Sequence, residues 1–493
     1  MSAPPNVVVI MADQQRADLT AREGFPLDTT PYVDWLAAEG TWFDRAYTTS
    51  PLCSPARTSL LTGRWPSAHR VRENPAANEA VFAADLPGVL RSAGYATGLV
   101  GKNHTYLGPG DLDHYETYSH VGAEQGTDHA EFDDWLLKLR HRTHPEPTPF
   151  PLEEQLPYRI VSGAQRWVDS VGDRPFLLWL SFPEPHNPYQ VPEPYFSMFP
   201  AVPPTRYGPE ALDDLPYAWR YLRRLGETGD ARYAESIDRA RANYCGMLRL
   251  IDDQIRRFVT YLGDRRERTL LIVTADHGDY VGEYGLLRKG AEVPELLTRV
   301  PLVVNGPGVA RHDGPHPAHV SLADVFPTVC EAVGEPLPEG VQGRSLWPLL
   351  RGAPYPAEEF AGSYVEQGIG GLPYEEQDVP EPLPGLGGAD GWSNFDELNA
   401  VTQSGQRRMV RAGDWKLVVD GVGRCRLYHL PSDPGELRDL SDAPEHADVR
   451  TRLLRELVGW MLRAEDPLPV PPKGYRRKRD EHNYLSPHRV EGP

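Results

Sequence analysis

The chain has 493 residues, 70 acidic and 51 basic, for a formal charge of −19 at neutral pH. That length exceeds a single small module and predicts two or three domains, or one large core with a satellite. The charge repels phosphates and excludes a nucleic-acid partner in bulk.

Proline and glycine, 50 and 45 residues, accompany 40% hydrophobic residues. The mixture stays below the share typical of low-complexity chains and predicts a core punctuated by many turns. No apolar run approaches the ~20 residues of a membrane span. The first one, Val7-Val8-Val9-Ile10-Met11, follows the start with no charged leader ahead of it. A cytoplasmic protein with no membrane partner is therefore expected. Cys53, Cys245, Cys330 and Cys425 are too scattered for a disulfide framework or a C-x-x-C zinc site.

In chain order, an apolar run at 6–11 precedes a helical pattern at 32–38. A helix at 86–92 precedes a strand at 96–100, and 160–168 precedes 176–182. A long amphipathic stretch at 237–262 leads into the strand 269–274. Continuous apolar strands alternating with helices predict an α/β fold, a large mostly parallel sheet sandwiched by helices. Beyond about residue 355 the character changes. Short strand-like segments at 360–365, 408–411, 416–419 and 426–430, then a helix at 447–462, predict a smaller C-terminal α+β domain on an antiparallel sheet. The expected division is 1–355 and 356–493. Residues 368–396 read as a long loop and 467–493 as an extended tail. The tail holds the one compact basic run, 476–479, read as solvated, and is long enough to reach a neighbour in a homo-oligomer.

Ligands of open α/β sheets bind beyond the carboxyl ends of the strands. Here those ends carry Asp13-Gln14, then Gly101-Lys102-Asn103-His104, Glu184-Pro185-His186 and Asp276-His277-Gly278-Asp279. An aspartate after a strand ordinarily caps a turn, and a lone histidine ordinarily makes a structural bond. Four such ends around one crevice describe a shared site. Asp13, Gln14, Asp276 and His277 offer three oxygens and a nitrogen, which suits Ca2+, Mg2+ or Mn2+ better than structural zinc. Lys102, His104, His186 and Lys289 add positive charge and proton donors for an anion. Ser54 and Pro55 predict a helix start with Ser54 as its cap. Cys53 would then lie at the helix's positive end with Arg57 one turn on. Those residues alone admit both a reactive thiol and a buried core cysteine.

Cys53-Ser54-Pro55-Ala56-Arg57 matches the C-x-P-x-R motif of type I sulfatases, and Thr62-Gly63-Arg64 resembles the extension of that signature. The strand-end motifs and Lys289-Gly290 recur in family order, and 409–440 is similar to the family's small domain. The resemblance, to an alkaline phosphatase-like fold, covers most of the chain. It implies that Cys53 is converted to formylglycine by a formylglycine-generating enzyme. A hydrated aldehyde keeps a second hydroxyl that can expel sulfate after transfer, which a thiol lacks. Asp13, Gln14, Asp276 and His277 would hold the metal, with Ca2+ ahead of Mn2+ or Mg2+, and Asp276 would also accept the attacking hydroxyl's proton. Arg57 would fix the formylglycine, and Lys102 and Lys289 would bind sulfate oxygens. His186 with Lys289 would protonate the leaving oxygen, and His104 would serve sulfate release. Asn74 stands where related sequences carry a pocket asparagine; capping a loop is its ordinary alternative.

One departure stands out. Many sulfatases carry two aspartates after the first strand, whereas Asp13-Gln14 resembles the phosphonate monoester hydrolases. Sulfate esters are the expected small anionic substrate. Phosphonate monoesters or phosphodiesters are the alternative, and an inactive binding protein is a third reading. The alcohol part is expected to be set by loops 111–149, 191–225 and 368–399, where Trp219, Tyr221, Trp392 and Phe395 could stack on a ring or pack a loop.

Overall fold

The structure, a computed structural model, describes residues 4–290, 292–378 and 404–465. Trp392, Phe395, the basic run and the whole tail 467–493 lie outside these residues, as does most of loop 368–399. An eight-stranded sheet runs in the order Thr41–Phe43, Leu302–Asn305, Thr269–Ala275, Asn6–Asp13, Phe176–Pro185, Ala96–Gly101, His114–Ser119, Gly122–Ala123. The five strands from Thr269–Ala275 to His114–Ser119 pair in parallel. The outer pairings are antiparallel.

The central Asn6–Asp13 strand is buried at every residue, as a parallel strand covered on both faces must be. Its side chains alternate between two cores. Val7, Val9 and Met11 join one with Leu60, Leu90 and Phe326. Val8 and Ile10 join the other with Leu36, Ile160 and Phe258. Helices thus cover both faces: Cys53–Thr62, Leu86–Ser92 and Val325–Val333 on one, Pro31–Ala38, Leu156–Val171 and Tyr233–Tyr261 on the other. The Leu86–Ser92 helix begins where its sequence says it should. Asp85 caps it by accepting from Gly88 N–H, worth about 1 kcal/mol.

A four-stranded antiparallel sheet, Gly362–Gln367, Arg407–Ala412, Trp415–Asp420 and Cys425–His429, forms the C-terminal unit. Its central hairpin turns in two residues, because Ala412 pairs with Trp415. Gly413 takes the left-handed conformation there, at φ +58°, which glycine adopts without penalty. The Ala447–Ala464 helix packs Leu453, Leu457 and Trp460 on this sheet. Trp65, two residues beyond the Cys53–Thr62 helix's Gly63 cap, inserts into the same cluster and donates to Tyr364 O at 3.2 Å.

Two segments differ from the sequence expectation. The interval 111–149 holds the His114–Ser119 strand and the Ala130–Lys138 helix, and 191–225 leads into the Tyr217–Gly229 helix. Trp219 and Tyr221 on that helix are buried with Tyr280, Tyr284 and Leu286, and Tyr221 stacks on Tyr374 at 4.0 Å. They pack the fold; a substrate ring has no access to them. None of the described helices is long and apolar enough to cross a membrane.

Candidate active site

The helix that carries Cys53 starts two residues earlier than expected. It spans Cys53–Thr62 with Leu52 as its N-cap residue, and no side chain of its own caps it. Ser54 is therefore inside the first turn, and Pro55 takes a position where its missing N–H still costs nothing. Asn74 supplies the cap from a distance, accepting from Ser54 N–H at 3.1 Å while its carbonyl accepts from Ser54 Oγ at 3.2 Å. Cys53, 1% exposed, occupies the first helical position, where the exposed N–H dipoles favour negative charge. Its Sγ lies 3.2 Å from His277 Nε2 and donates to Asp13 Oδ1 at 3.7 Å.

The sheet builds the group around it. The register between the Asn6–Asp13 and Phe176–Pro185 strands slips after Ala12, so that Asp13 faces Pro185; such a bulge re-aims a strand-end side chain. Gln14 follows in a left-handed conformation, at φ +67°, and donates its backbone N–H to Asp276 Oδ1 at 2.9 Å. That bond joins the ends of two adjacent strands. Ligand atoms of Asp13, Cys53, Asp276 and His277 lie within 4.8 Å of one another, all buried. Two carboxylates so close in a dry interior demand positive charge. Oxygens plus one imidazole fit a hard or borderline divalent cation. Gln14 stands beside this set with its amide committed elsewhere, Nε2 donating to Asp279 and Oε1 accepting from Lys289 Nζ at 2.8 Å.

Arg57 is the fixed countercharge. Nε donates to Asp276 at 2.8 Å and one terminal nitrogen to Asp13 at 3.3 Å. The other terminal nitrogen donates to Lys102 O at 3.0 Å and Ser181 Oγ at 2.8 Å. Burial alone would raise the pKa of Asp13, but Lys102, His186 and Arg57 hold it well below the carboxylate range. Burial likewise opposes charge on His277, yet Asp276 and Cys53 outweigh it and push its pKa up to about 9.

Two ammonium groups flank the set. Lys102 Nζ donates to Asp13, and Lys289 Nζ sits 3.2 Å from His186 Nε2. The His186 Nδ1–H donates to Asn187 O at 2.8 Å, leaving Nε2 to accept from Lys289. Burial, His120 and Lys289 depress the His186 pKa well below its ordinary value, so the proton at this end rests on Lys289. Burial and then Lys102 and Arg57 push His104 down to about 3, a neutral imidazole able to accept a proton. His104 is held in a left-handed conformation, at φ +54°.

The sulfatase family model matches residues 5–335. The chain belongs to the sulfatase family. Membership makes it a sulfuric ester hydrolase. It is 31% identical to the multifunctional alkaline phosphatase superfamily protein PehA of Trinickia caryophylli, over 94% of this chain and 96% of that one. It is 27% identical to the choline-sulfatase of Rhizobium meliloti, over 89% and 83%. The phosphonate monoester hydrolase of Agrobacterium radiobacter superposes with a TM-score of 0.75 at 25% identity, covering 93% of this chain and 96% of that one.

Sequence reasoning gave no role to two residues of this sulfatase's candidate site. Asp279 is fully buried and accepts from Gln14 Nε2, from Tyr189 OH at 2.7 Å, and from the N–H groups of Val281 and Arg288 at 2.7 and 2.8 Å. His120 touches Lys102 and His186 from a segment read as a loop. The strand-end rule reached Asp279, at the end of the Asp276-His277-Gly278-Asp279 run, without a role for it; nothing marked His120.

The small sheet of the sulfatase also bears on the site, through the loop that carries Lys289. Arg407 and Arg426 pair with Glu292 at 2.9 and 2.5 Å. Arg411 and Lys416 pair with Glu295 at 2.7 and 3.2 Å. Lys416 also donates to Val293 O at 2.7 Å, and Tyr280 OH to Gly290 O at 3.0 Å.

Proposed function

We propose that the protein hydrolyses sulfate monoesters with a formylglycine matured from Cys53 and a divalent cation, Ca2+ by preference, held by Asp13, Asp276 and His277 with Gln14 beside them. The observation carrying this reading is the position of Cys53 Sγ, at a helix N-terminus and in contact with both His277 and Asp13. A cation there would polarise the ester oxygens and lower the cost of a negatively charged nucleophile. The formylglycine hydrate would supply the attacking hydroxyl and a second one for sulfate release.

The chain's own groups do the rest. Arg57 holds both carboxylates in fixed orientation, so the nucleophile and the donors keep one geometry. Lys102 and Lys289 lie on two sides of the site and offer N–H donors to the non-bridging sulfate oxygens. Preorganised donors of this kind contribute about 10²–10³ in rate each. The Lys289 proton, shared toward His186 Nε2, lies where a leaving alkoxide needs one. Neutral His104 takes the proton whose removal releases sulfate.

A second reading, hydrolysis of phosphonate monoesters or phosphodiesters, is favoured by Gln14, which gives the site one negative charge fewer than two aspartates would, and by the Agrobacterium radiobacter relative. Mass spectrometry of the Cys53 peptide from protein produced with the maturation enzyme is expected to find the aldehyde. On that material an aryl sulfate should be turned over faster than the matching aryl phosphonate monoester. Cys53→Ala should abolish both reactions and keep the fold. An unconverted thiol in an active protein sinks the formylglycine mechanism; the reverse substrate order sinks the sulfate preference.

A further inference from the structure

One ring in the site has no role in the reaction as written. His120 sits on the turn between the His114–Ser119 and Gly122–Ala123 strands, at the end of the sheet farthest from Asp276. From there it reaches both sides of the anion site. Its Nε2 lies 2.8 Å from Lys102 Nζ, and its ring lies face to face with His186, centroids 3.8 Å apart and planes 18° from parallel. Its Nδ1 is buried without a partner among the described residues, so the ring's polar commitment is to Lys102. We propose that His120 is a positioning residue that locks Lys102 and His186 into a single geometry for binding a tetrahedral oxyanion. The identity of that anion rests on the sulfatase reading above.

The physical case begins with lysine. Its ammonium is a compact charge on a flexible stem with three N–H donors. Asp13 takes one donor and His120 Nε2 a second, which leaves the third for a substrate oxygen and fixes its direction. An ammonium can donate only to an unprotonated nitrogen, so the contact assigns the His120 proton to Nδ1. The second contact acts on His186. That imidazole is tied at Nδ1 by Asn187 O and at Nε2 by Lys289, both bonds lying in its plane. A group stacked on its face opposes tilting, and His120 is stacked there at 3.8 Å, with His141 edge-on at 6.4 Å. One side chain therefore couples a lysine on the Ala96–Gly101 strand end to a histidine on the Phe176–Pro185 strand end, two elements whose side chains otherwise set their angles separately.

The test uses the full-length, metal-loaded protein with His120→Ala, His120→Phe and His120→Gln. Inorganic sulfate is titrated by calorimetry, kcat and KM are measured on an aryl sulfate, and Tm is recorded. Removing the acceptor in His120→Ala should weaken sulfate binding and kcat/KM by about 10–100-fold, the range for a hydrogen bond to a charged group. His120→Phe keeps a ring against His186 and should match His120→Ala in sulfate affinity while keeping more of kcat. His120→Gln restores an acceptor near the Nε2 position and should recover affinity to within about threefold of the parent. Ala and Phe variants within about twofold of the parent in both assays overturn the proposal. Equal losses in all three variants, tracking a lower Tm, overturn it in favour of simple packing. Should His120→Ala fail to fold, the Phe and Gln variants decide. A parent that binds sulfate yet hydrolyses no sulfate ester would end the sulfatase reading, and the binding arm would still decide the role of His120.

Discussion

Replacing Arg57 by lysine keeps the charge and removes the fork, so it isolates what the guanidinium geometry contributes. Arg57 is fully buried and reaches four acceptors, with Asp13 and Asp276 on one side and Lys102 O and Ser181 Oγ on the other. A single ammonium nitrogen cannot span both sides, so at least two acceptors lose their partner. A bond to a charged group contributes about 1.5–3 kcal/mol and a neutral one about 1 kcal/mol. The sum is about 2–4 kcal/mol, which for a chain of this length lowers Tm by about 2–4 °C. Activity should fall further than stability suggests, because displacing Asp13 and Asp276 by about 1 Å costs on the order of 10²-fold in rate. Thermal melts and aryl sulfate kinetics, run in saturating Ca2+ and again after chelation, measure both effects. The melting deficit should widen after chelation, when Arg57 is the chief countercharge to two buried carboxylates. An Arg57→Lys protein that melts within about 1 °C of the parent and retains kcat/KM within about threefold refutes the assignment.

Chelation of the parent should abolish turnover and lower Tm, and added Ca2+ should restore both; a bound cation stabilises by about 2.7 kcal/mol at a hundredfold excess over its Kd. No change in either on chelation refutes the donor set. Asp279→Asn sets an amide N–H₂ against at least one of four donors, an unmatched contact that costs about 1–3 kcal/mol. It should turn the Gln14 amide and raise KM through loss of the Gln14–Lys289 bond, and an unchanged KM argues against that coupling. Burial opposes the charge on Glu295, but Arg411 and Lys416 outweigh it and bring its pKa from 4.5 down to about 2. A depressed carboxylate stabilises the fold above its unfolded pKa and loses that contribution as pH falls through the folded one. The Tm of the parent should therefore fall between about pH 5 and pH 2, and Glu295→Gln should flatten that part of the Tm–pH curve; superimposable slopes refute the ion pair's role.

The sheet was legible because parallel strands buried on both faces are apolar through their centres. Asn6–Asp13, Phe176–Pro185 and Thr269–Ala275 stand out as continuous apolar runs. Their polar ends pointed to the crevice, and the resemblance of 53–57 to the sulfatase motif made Cys53 the candidate nucleophile. The edge was harder. His114–Ser119 reads HYETYS and is only half buried, so neither periodicity nor apolar content separates it from a loop, and His120 beyond it went unnoticed. Trp219 and Tyr221 were open between two roles in the sequence, and the structure decides for packing. Aromatic residues near a site invite a substrate role, but the Tyr217–Gly229 helix turns them into a cluster with Tyr280 and Tyr284. The Ser54 cap failed because the donor that needed an acceptor was met by Asn74, twenty positions away in sequence and visible only in three dimensions.

The burial of Cys53 has a consequence in time. His277, which closes over the sulfur, lies 224 residues further along the chain, and the Lys289 loop comes later still. At synthesis rates of about 5–20 residues per second, the thiol emerges about 10–45 s before the residue that encloses it is made. On the proposed formylglycine reading, an enzyme that must reach Sγ would therefore have to work on a growing or unfolded chain. A cysteine left unconverted when the sheet closed would then remain one in an otherwise folded protein, and the converted fraction of a preparation would depend on how fast oxidation runs relative to folding.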